Sequence, residues 1–218
     1  MNNVVDNKIF AKIFLWMFLG LLVTFGVGYY VSLNEIMLEN IFKSSTYWIV
    51  FIVEIVLCIV LSVRIRKMNP LVAKVLYLLY AGLTGLTFSI IFILYELDSI
   101  IFIFAITSLI CLVFGLIGYY TNLDLTKLGT FLFMALIAVI IASIVNIFIG
   151  SETFNLGICI LSLIIFIGYM AYDVQVIKKG MYGIEEEENL AIYGAFQIYL
   201  DFINIFIRLL ELFGKRSD

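Results

Sequence analysis

Long apolar runs alternate with short polar segments along the whole chain, and seven of these runs approach the length that a bilayer demands. A helix crossing a hydrocarbon core of ~30 Å needs about 20 mostly apolar residues. On that measure the pattern predicts seven transmembrane helices, over roughly residues 9–33, 47–63, 71–95, 100–120, 128–149, 154–177 and 190–213. The connections between the middle runs are short, which predicts antiparallel neighbours. The expected fold class is all-α and polytopic. One proline and no low-complexity stretch leave no linker at which to divide the chain, so a single transmembrane domain over residues 1–218 is expected. The first run is too long for a signal-peptide core, and no small-residue cleavage pattern follows it.

Composition agrees. The chain is 64% hydrophobic and 13% charged, against about 45–50% and about 25% in an average soluble domain. A net charge of −3 and a pI near 5.0 give no footprint for nucleic acid. Cys58, Cys111 and Cys159 each fall within an apolar run and show no CxxC spacing, so neither a disulfide framework nor a zinc site is suggested.

The charges between the runs orient the chain. The N-terminus carries Lys8 and Lys12; Arg64, Arg66, Lys67 and Lys74 cluster after the second helix; Lys178 and Lys179 end the sixth. The positive-inside rule places these segments in the cytoplasm, and with them the N-terminus. An integral protein of a bacterial inner (plasma) membrane is the expected location. Lys43 and the acidic residues Glu35 and Glu39 lie in the first connection, and the acidic run Glu185 to Glu188 lies in the sixth. The basic Lys215 and Arg216 argue against the outer side that seven crossings assign to the C-terminus, so its side is left open.

Against this apolar background a few polar positions stand out. Asp173 and Asp201 lie inside the sixth and seventh runs. A charged side chain in hydrocarbon costs at least ~2.5–3.5 kcal/mol on insertion scales, so it usually faces a partner or a water-filled path. From the cytoplasmic side Asp173 is ~7–8 Å deep and Asp201 ~16 Å, and tilt and side-chain reach would allow the two carboxyls to meet. Touching carboxylates share a proton and titrate as one unit. With no histidine in the chain, such a dyad is the best available pH sensor. The plainer alternative is two neutral groups bonded to neighbouring helices, worth only ~0.6 kcal/mol each on average.

Glu54 sits near the centre of the second run, and Arg64 and Arg66 close that run, where either guanidinium could pair with Asp173. Plain interfacial anchoring explains either arginine taken alone. Asn204 and Arg208 follow Asp201 at i+3 and i+7 and extend one polar stripe along the seventh helix, with Asn204 a candidate to line a cavity.

The runs LDLTKLGTFLFMALIAVIIASIVNIFIG, GYMAYDVQVIKKG and AIYGAFQIYLDFINIFIRLLELFG resemble bacterial members of the Bax inhibitor-1 family, also called transmembrane Bax inhibitor motif proteins. The likeness is strongest in the C-terminal half, and IYLDFIN is its most specific piece. It implies seven helices with the last surrounded by the other six, and a pH-sensitive calcium leak controlled by two buried aspartates, here Asp173 and Asp201. It also implies an arginine latch at the inner end of the second helix and a pore-lining glutamate in that helix. Glu54 matches the glutamate, while Arg64 and Arg66 both fit the latch.

Function can then be weighed by class. Carboxylates are hard ligands suited to Ca²⁺, so Asp173, Asp201 and Glu54 are expected to contact the ion in transit. No resident cofactor is expected, and the lipid bilayer, Ca²⁺ and protons are the expected partners. A regulator that binds other membrane proteins, such as a protease, is the alternative, with Glu185 to Glu188 as a docking segment. Intramembrane aspartyl proteolysis is disfavoured because its GxGD motif is replaced by IYLD, and rhomboid chemistry needs a histidine; no enzyme activity is expected. A proton-coupled transporter lacks an inverted repeat or a helix broken at Pro or Gly pairs.

Overall fold

A computed structural model describes residues 7–42, 46–180, 183–184 and 186–217. Lys43 and Glu185 lie outside them. The chain order is α1 (Asn7–Ser32), α2 (Glu35–Phe42), α3 (Thr46–Arg64), a 3₁₀ turn (Ile65–Lys67), α4 (Pro70–Phe88), α5 (Ile91–Leu94), α6 (Leu97–Tyr120), α7 (Thr126–Ile149), α8 (Glu152–Lys178) and α9 (Glu187–Phe213). The described residues form no strand, only an isolated bridge between Tyr95 and Arg216. Seven helices are long and apolar enough to span a membrane.

Their ends follow from local chemistry. Asn69 caps α4 by accepting from the Leu71 amide at 2.9 Å, and Pro70 occupies the first turn, where its missing N–H costs nothing. Ser151 caps α8 by accepting from the Phe154 amide at 3.3 Å. Gly150 closes α7 in the left-handed region at φ 67°, which a residue without Cβ adopts freely. Glu187 and Glu188 form the first turn of α9, so the helix starts before the apolar run that predicts it. Acidic residues belong at a helix N-terminus.

Two features depart from the sequence reading. The first connection folds as α2, a short helix none of whose residues is buried. The third span, predicted as continuous over 71–95, is interrupted at Ser89 and Ile90. No Pro or Gly causes this. The Ser89 hydroxyl donates to the Leu86 carbonyl at 2.7 Å, and the Ser89 amide reaches the same oxygen at 3.3 Å. A side chain competing for the helix's own carbonyls bends or ends it.

The chain falls into two compact units. One gathers α1 to α5 with residues 183–199. In it α1 packs on α4, and α3 packs on α4. Gly85 lets α4 approach α1 so closely that a Cβ there would meet the Thr24 carbonyl oxygen at 2.8 Å. The other unit gathers α6 to α8 with residues 200–215, and α7 packs on α8 around Leu132, Val139, Ile158 and Ile165.

Burial inverts hydropathy. α9 has the lowest mean hydropathy of the seven spans, 1.6, yet 78% of its most apolar window is buried; α7, at 2.9, is 11% buried. In lipid the most apolar helices face outward and the polar ones are enclosed by protein, since an unsatisfied polar group in hydrocarbon costs several kcal/mol. The exposed Phe131, Phe133, Ile140 and Ile144 of α7 are what a bilayer covers.

Candidate functional site

The second unit brings the two aspartates together. Asp173 on α8 and Asp201 on α9 are each 4% exposed, and the Asp201 carboxyl lies within side-chain hydrogen-bonding reach of that of Asp173. Two carboxyls that close could bond to each other only through a shared proton. The Asp201 Oδ2 atom is buried and has no partner among the described residues. Cys111 of α6 and Tyr169 of α8 lie within electrostatic range, and Phe104 of α6 packs on Phe202 and Phe206, which share one face of α9, with centroids 5.1 and 6.4 Å apart.

The backbone carrying Asp173 is clamped on both sides. A Cβ on Gly118 of α6 would stand 2.1 Å from the Ala171 carbonyl oxygen, and one on Gly129 of α7 would stand 2.3 Å from the Tyr172 ring. Small residues are what let transmembrane helices approach this closely. On the other side, Gln175 is 2% exposed and pairs with the α6–α7 loop as a strand would. Its Nε2 donates to the Leu123 carbonyl at 2.8 Å, and its Oε1 accepts from the Leu125 amide at 2.9 Å and from Lys179 at 3.0 Å. Lys178 donates to the Tyr119 carbonyl at 2.5 Å and lies 4.3 Å from the Tyr119 ring centroid.

Gln175→Leu removes both backbone partners at once, at a cost of about 1–2 kcal/mol in this partly wetted loop. Amides of 121–125 are expected to exchange faster by hydrogen–deuterium mass spectrometry while those of α7 stay protected. Unchanged exchange in the loop would contradict the strap.

The same loop bears on pH. The Thr126 hydroxyl and amide, at 2.6 and 3.2 Å, and Lys179, at 3.5 Å, hold the Asp124 carboxyl below the usual carboxylate range. A depressed carboxyl contributes its stability above its unfolded-state value and loses it only as pH falls through the lower folded-state value. Asp124 is therefore constant across neutral pH and cannot supply a response there.

The rest of the stripe disperses. The Asn204 amide donates to its own helix at the Leu200 carbonyl, 2.7 Å away. Arg208 pairs with Glu211 at 2.8 Å, and Asn155 of α8 donates to the other Glu211 oxygen at 2.8 Å.

The first unit holds the remaining candidates. Glu54 is half-buried and accepts from Thr84 at 2.7 Å and from Thr87 at 3.4 Å, both on α4. Arg66 donates to the Tyr193 hydroxyl at 3.0 Å with its guanidinium carbon 4.9 Å from that ring's centroid, and both Arg64 and Arg66 are exposed. Lys74 makes an ion pair with Glu188, so part of the acidic run is engaged within the chain. No three of the chain's Cys, Asp and Glu side chains converge on one metal-holding cluster among the described residues. The thiols of Cys58, Cys111 and Cys159 are free.

Sequence reasoning missed Gly118, Gly129, Gln175, Thr84 and Thr87. Their residue types are ordinary in membrane helices or at helix ends, so only their neighbours reveal a role.

Comparison with known proteins places this arrangement. Residues 6–218 match the family model described as Inhibitor of apoptosis-promoting Bax1. The chain is 39% identical to the inner membrane protein YbhL of Escherichia coli K12, over 94% of this chain and 91% of that one. It is 38% identical to an uncharacterized protein of Borreliella burgdorferi, over 98% and 94%, and 34% identical to one of Deinococcus radiodurans, over 95% and 90%. A match of this length and identity, on a chain of seven apolar helices, makes it a member of the Bax inhibitor-1 family.

Proposed function

We propose that the protein is a pH-sensitive Ca²⁺ leak pathway of a bacterial inner membrane, with its N-terminus in the cytoplasm. The adjacent, buried pair Asp173 and Asp201 carries this reading. A shared proton gives the pair two charge states, and the change between them is what a gate can use. The chain has no histidine to do this instead. An arginine at the inner end of α3, Arg64 or Arg66, serves as the latch. Ca²⁺ is cargo here and touches Glu54 and the aspartates in passing, as scattered carboxylates suit an ion that must leave again. The inner-membrane relative supports the location.

Purified protein in Ca²⁺-free liposomes, with an indicator dye trapped inside, tests this. Ca²⁺ entry is expected to exceed that of protein-free vesicles and to rise as pH falls from 8 to 6. Equal entry with and without protein at every pH would end the proposal.

A further inference from the structure

The two threonines that meet Glu54 are not equivalent, and the hydroxyl hydrogens around them can be assigned. Thr84, 3% exposed, has one hydrogen, and the shortest contact it makes as a donor is to Glu54 Oε1 at 2.7 Å. Thr87 has a nearer acceptor in its own helix, the Thr84 carbonyl at 2.9 Å, so Glu54 Oε2 at 3.4 Å receives only a share of its hydrogen. Beyond about 3.2 Å such bonds weaken steeply.

Thr84 is itself held in place. Tyr80, one turn earlier on α4, comes within hydrogen-bonding reach of Thr84 and of Cys58 on α3. Tyr199 of α9 reaches Thr84 as well. The Tyr199 hydroxyl also lies 2.6 Å from that of Thr24 on α1. Thr24 spends its hydrogen on the Ala81 carbonyl at 2.9 Å, so Tyr199 is the donor of that pair. The Thr84 hydroxyl thus sits beside those of Tyr80 on α4 and of Tyr199 on α9, the latter anchored on Thr24 of α1, and points its hydrogen at α3. Thr84 and Thr87, at i and i+3 within α4, lie on one face of that helix.

We propose that Thr84 is a positioning residue for Glu54, with Thr87 as the weaker second hold, and that together they fix the orientation in which α3 presents this carboxylate to a passing divalent cation. This rests on the reading of Glu54 as a lining group of a Ca²⁺ pathway. A carboxylate held by a framed hydroxyl is pre-organised, whereas a free one must be ordered each time an ion arrives.

The test uses full-length protein in liposomes with two readouts. In Ca²⁺ flux, Thr84→Val is expected to lower the rate roughly tenfold, as losing a hydrogen bond to a charged group does. Thr87→Val lowers it less, and Thr84→Ser restores it. In the Glu54→Gln background, Thr84→Val adds no further loss. In infrared difference spectra, the carboxyl band that Glu54→Gln abolishes is expected to shift in Thr84→Val and to stay in place in Thr84→Ser. Thr84→Ala carries the same comparison if the valine variant does not fold.

A Glu54 band unmoved by Thr84→Val or Thr84→Ala overturns the proposal. So does a flux loss of equal size with and without Glu54, or a larger effect at Thr87 than at Thr84. Wild-type vesicles that pass no Ca²⁺ would refute the leak reading instead, and the infrared band would still decide the positioning.

Discussion

Asp173→Asn and Asp201→Asn are each expected to flatten the pH dependence of Ca²⁺ flux while leaving a folded protein. Asparagine keeps the size of the side chain and supplies a permanent N–H where the dyad has a shared proton. The one carboxyl left then accepts a fixed hydrogen bond that favours its ionised form, and the proton that a dyad shares is gone. One proton bound or released by a gate changes its equilibrium by at most about tenfold per pH unit. Between pH 8 and 6 the wild type can therefore gain up to roughly a hundredfold, and either variant should stay within about twofold over the same span.

Folded yield is expected to survive, because replacing one of two touching carboxyls by an amide leaves the pair satisfied without a proton. The level at which each profile flattens carries further information. If Asp173 is the latch acceptor, Asp173→Asn leaks at pH 8 as the wild type does at pH 6, and the same raised leak appears in only one of Arg64→Gln and Arg66→Gln. A full pH response in both aspartate variants would remove the dyad from the mechanism.

The parts of this molecule that were legible in the sequence are those the bilayer makes expensive. Seven spans could be read because every crossing needs its full length of apolar residues, and their ends differ from the observed helices by only a few residues. First-turn groups such as Glu152 and Thr153 are helical yet too polar to count as span. The aspartates were visible for the same reason, since nothing but function or a partner pays for a carboxyl among residues such as Ile165 and Phe202.

What escaped is what lipid tolerates at little cost. Serine and threonine satisfy themselves on their own helix, so neither the break at Ser89 nor the hold of Thr84 on Glu54 leaves a mark in hydropathy. The α2 segment, EIMLENIF, alternates acidic and apolar residues too briefly to distinguish a short helix from a loop. Gln175 sits where a helix end would be polar in any case, yet it fixes the loop against the helix that bears Asp173. The enclosed position of α9 did leave a trace, its low hydropathy, which the resemblance made readable.

Gly118→Val is expected to have the largest effect on stability of any single change in the unit that holds the dyad. The substituted Cβ would lie 2.1 Å from the Ala171 carbonyl oxygen, 2.8 Å from its carbon and 2.9 Å from its Cα. All three are backbone atoms, so no rotamer change relieves the overlap and α6 must move away from α8. Overpacking in a well-packed interior costs typically about 1–3 kcal/mol when side chains can shift, and a backbone clash belongs at or above the top of that range. Because Ala171 is two residues from Asp173, the displacement also moves the α8 carboxyl relative to Asp201. Thermal unfolding followed by fluorescence-detected gel filtration should show a fall of several degrees or loss of the monodisperse peak.

Gly157→Ala on α8 provides the contrast, since a Cβ there meets nothing within 4 Å. Replacing an unhindered helical glycine by alanine stabilises by roughly 0.5–1 kcal/mol, so that variant should melt at or above the wild type. If Gly118→Ala, which adds only the clashing atom, unfolds no earlier than Gly157→Ala, the close approach of α6 and α8 beside the dyad does not exist in the membrane.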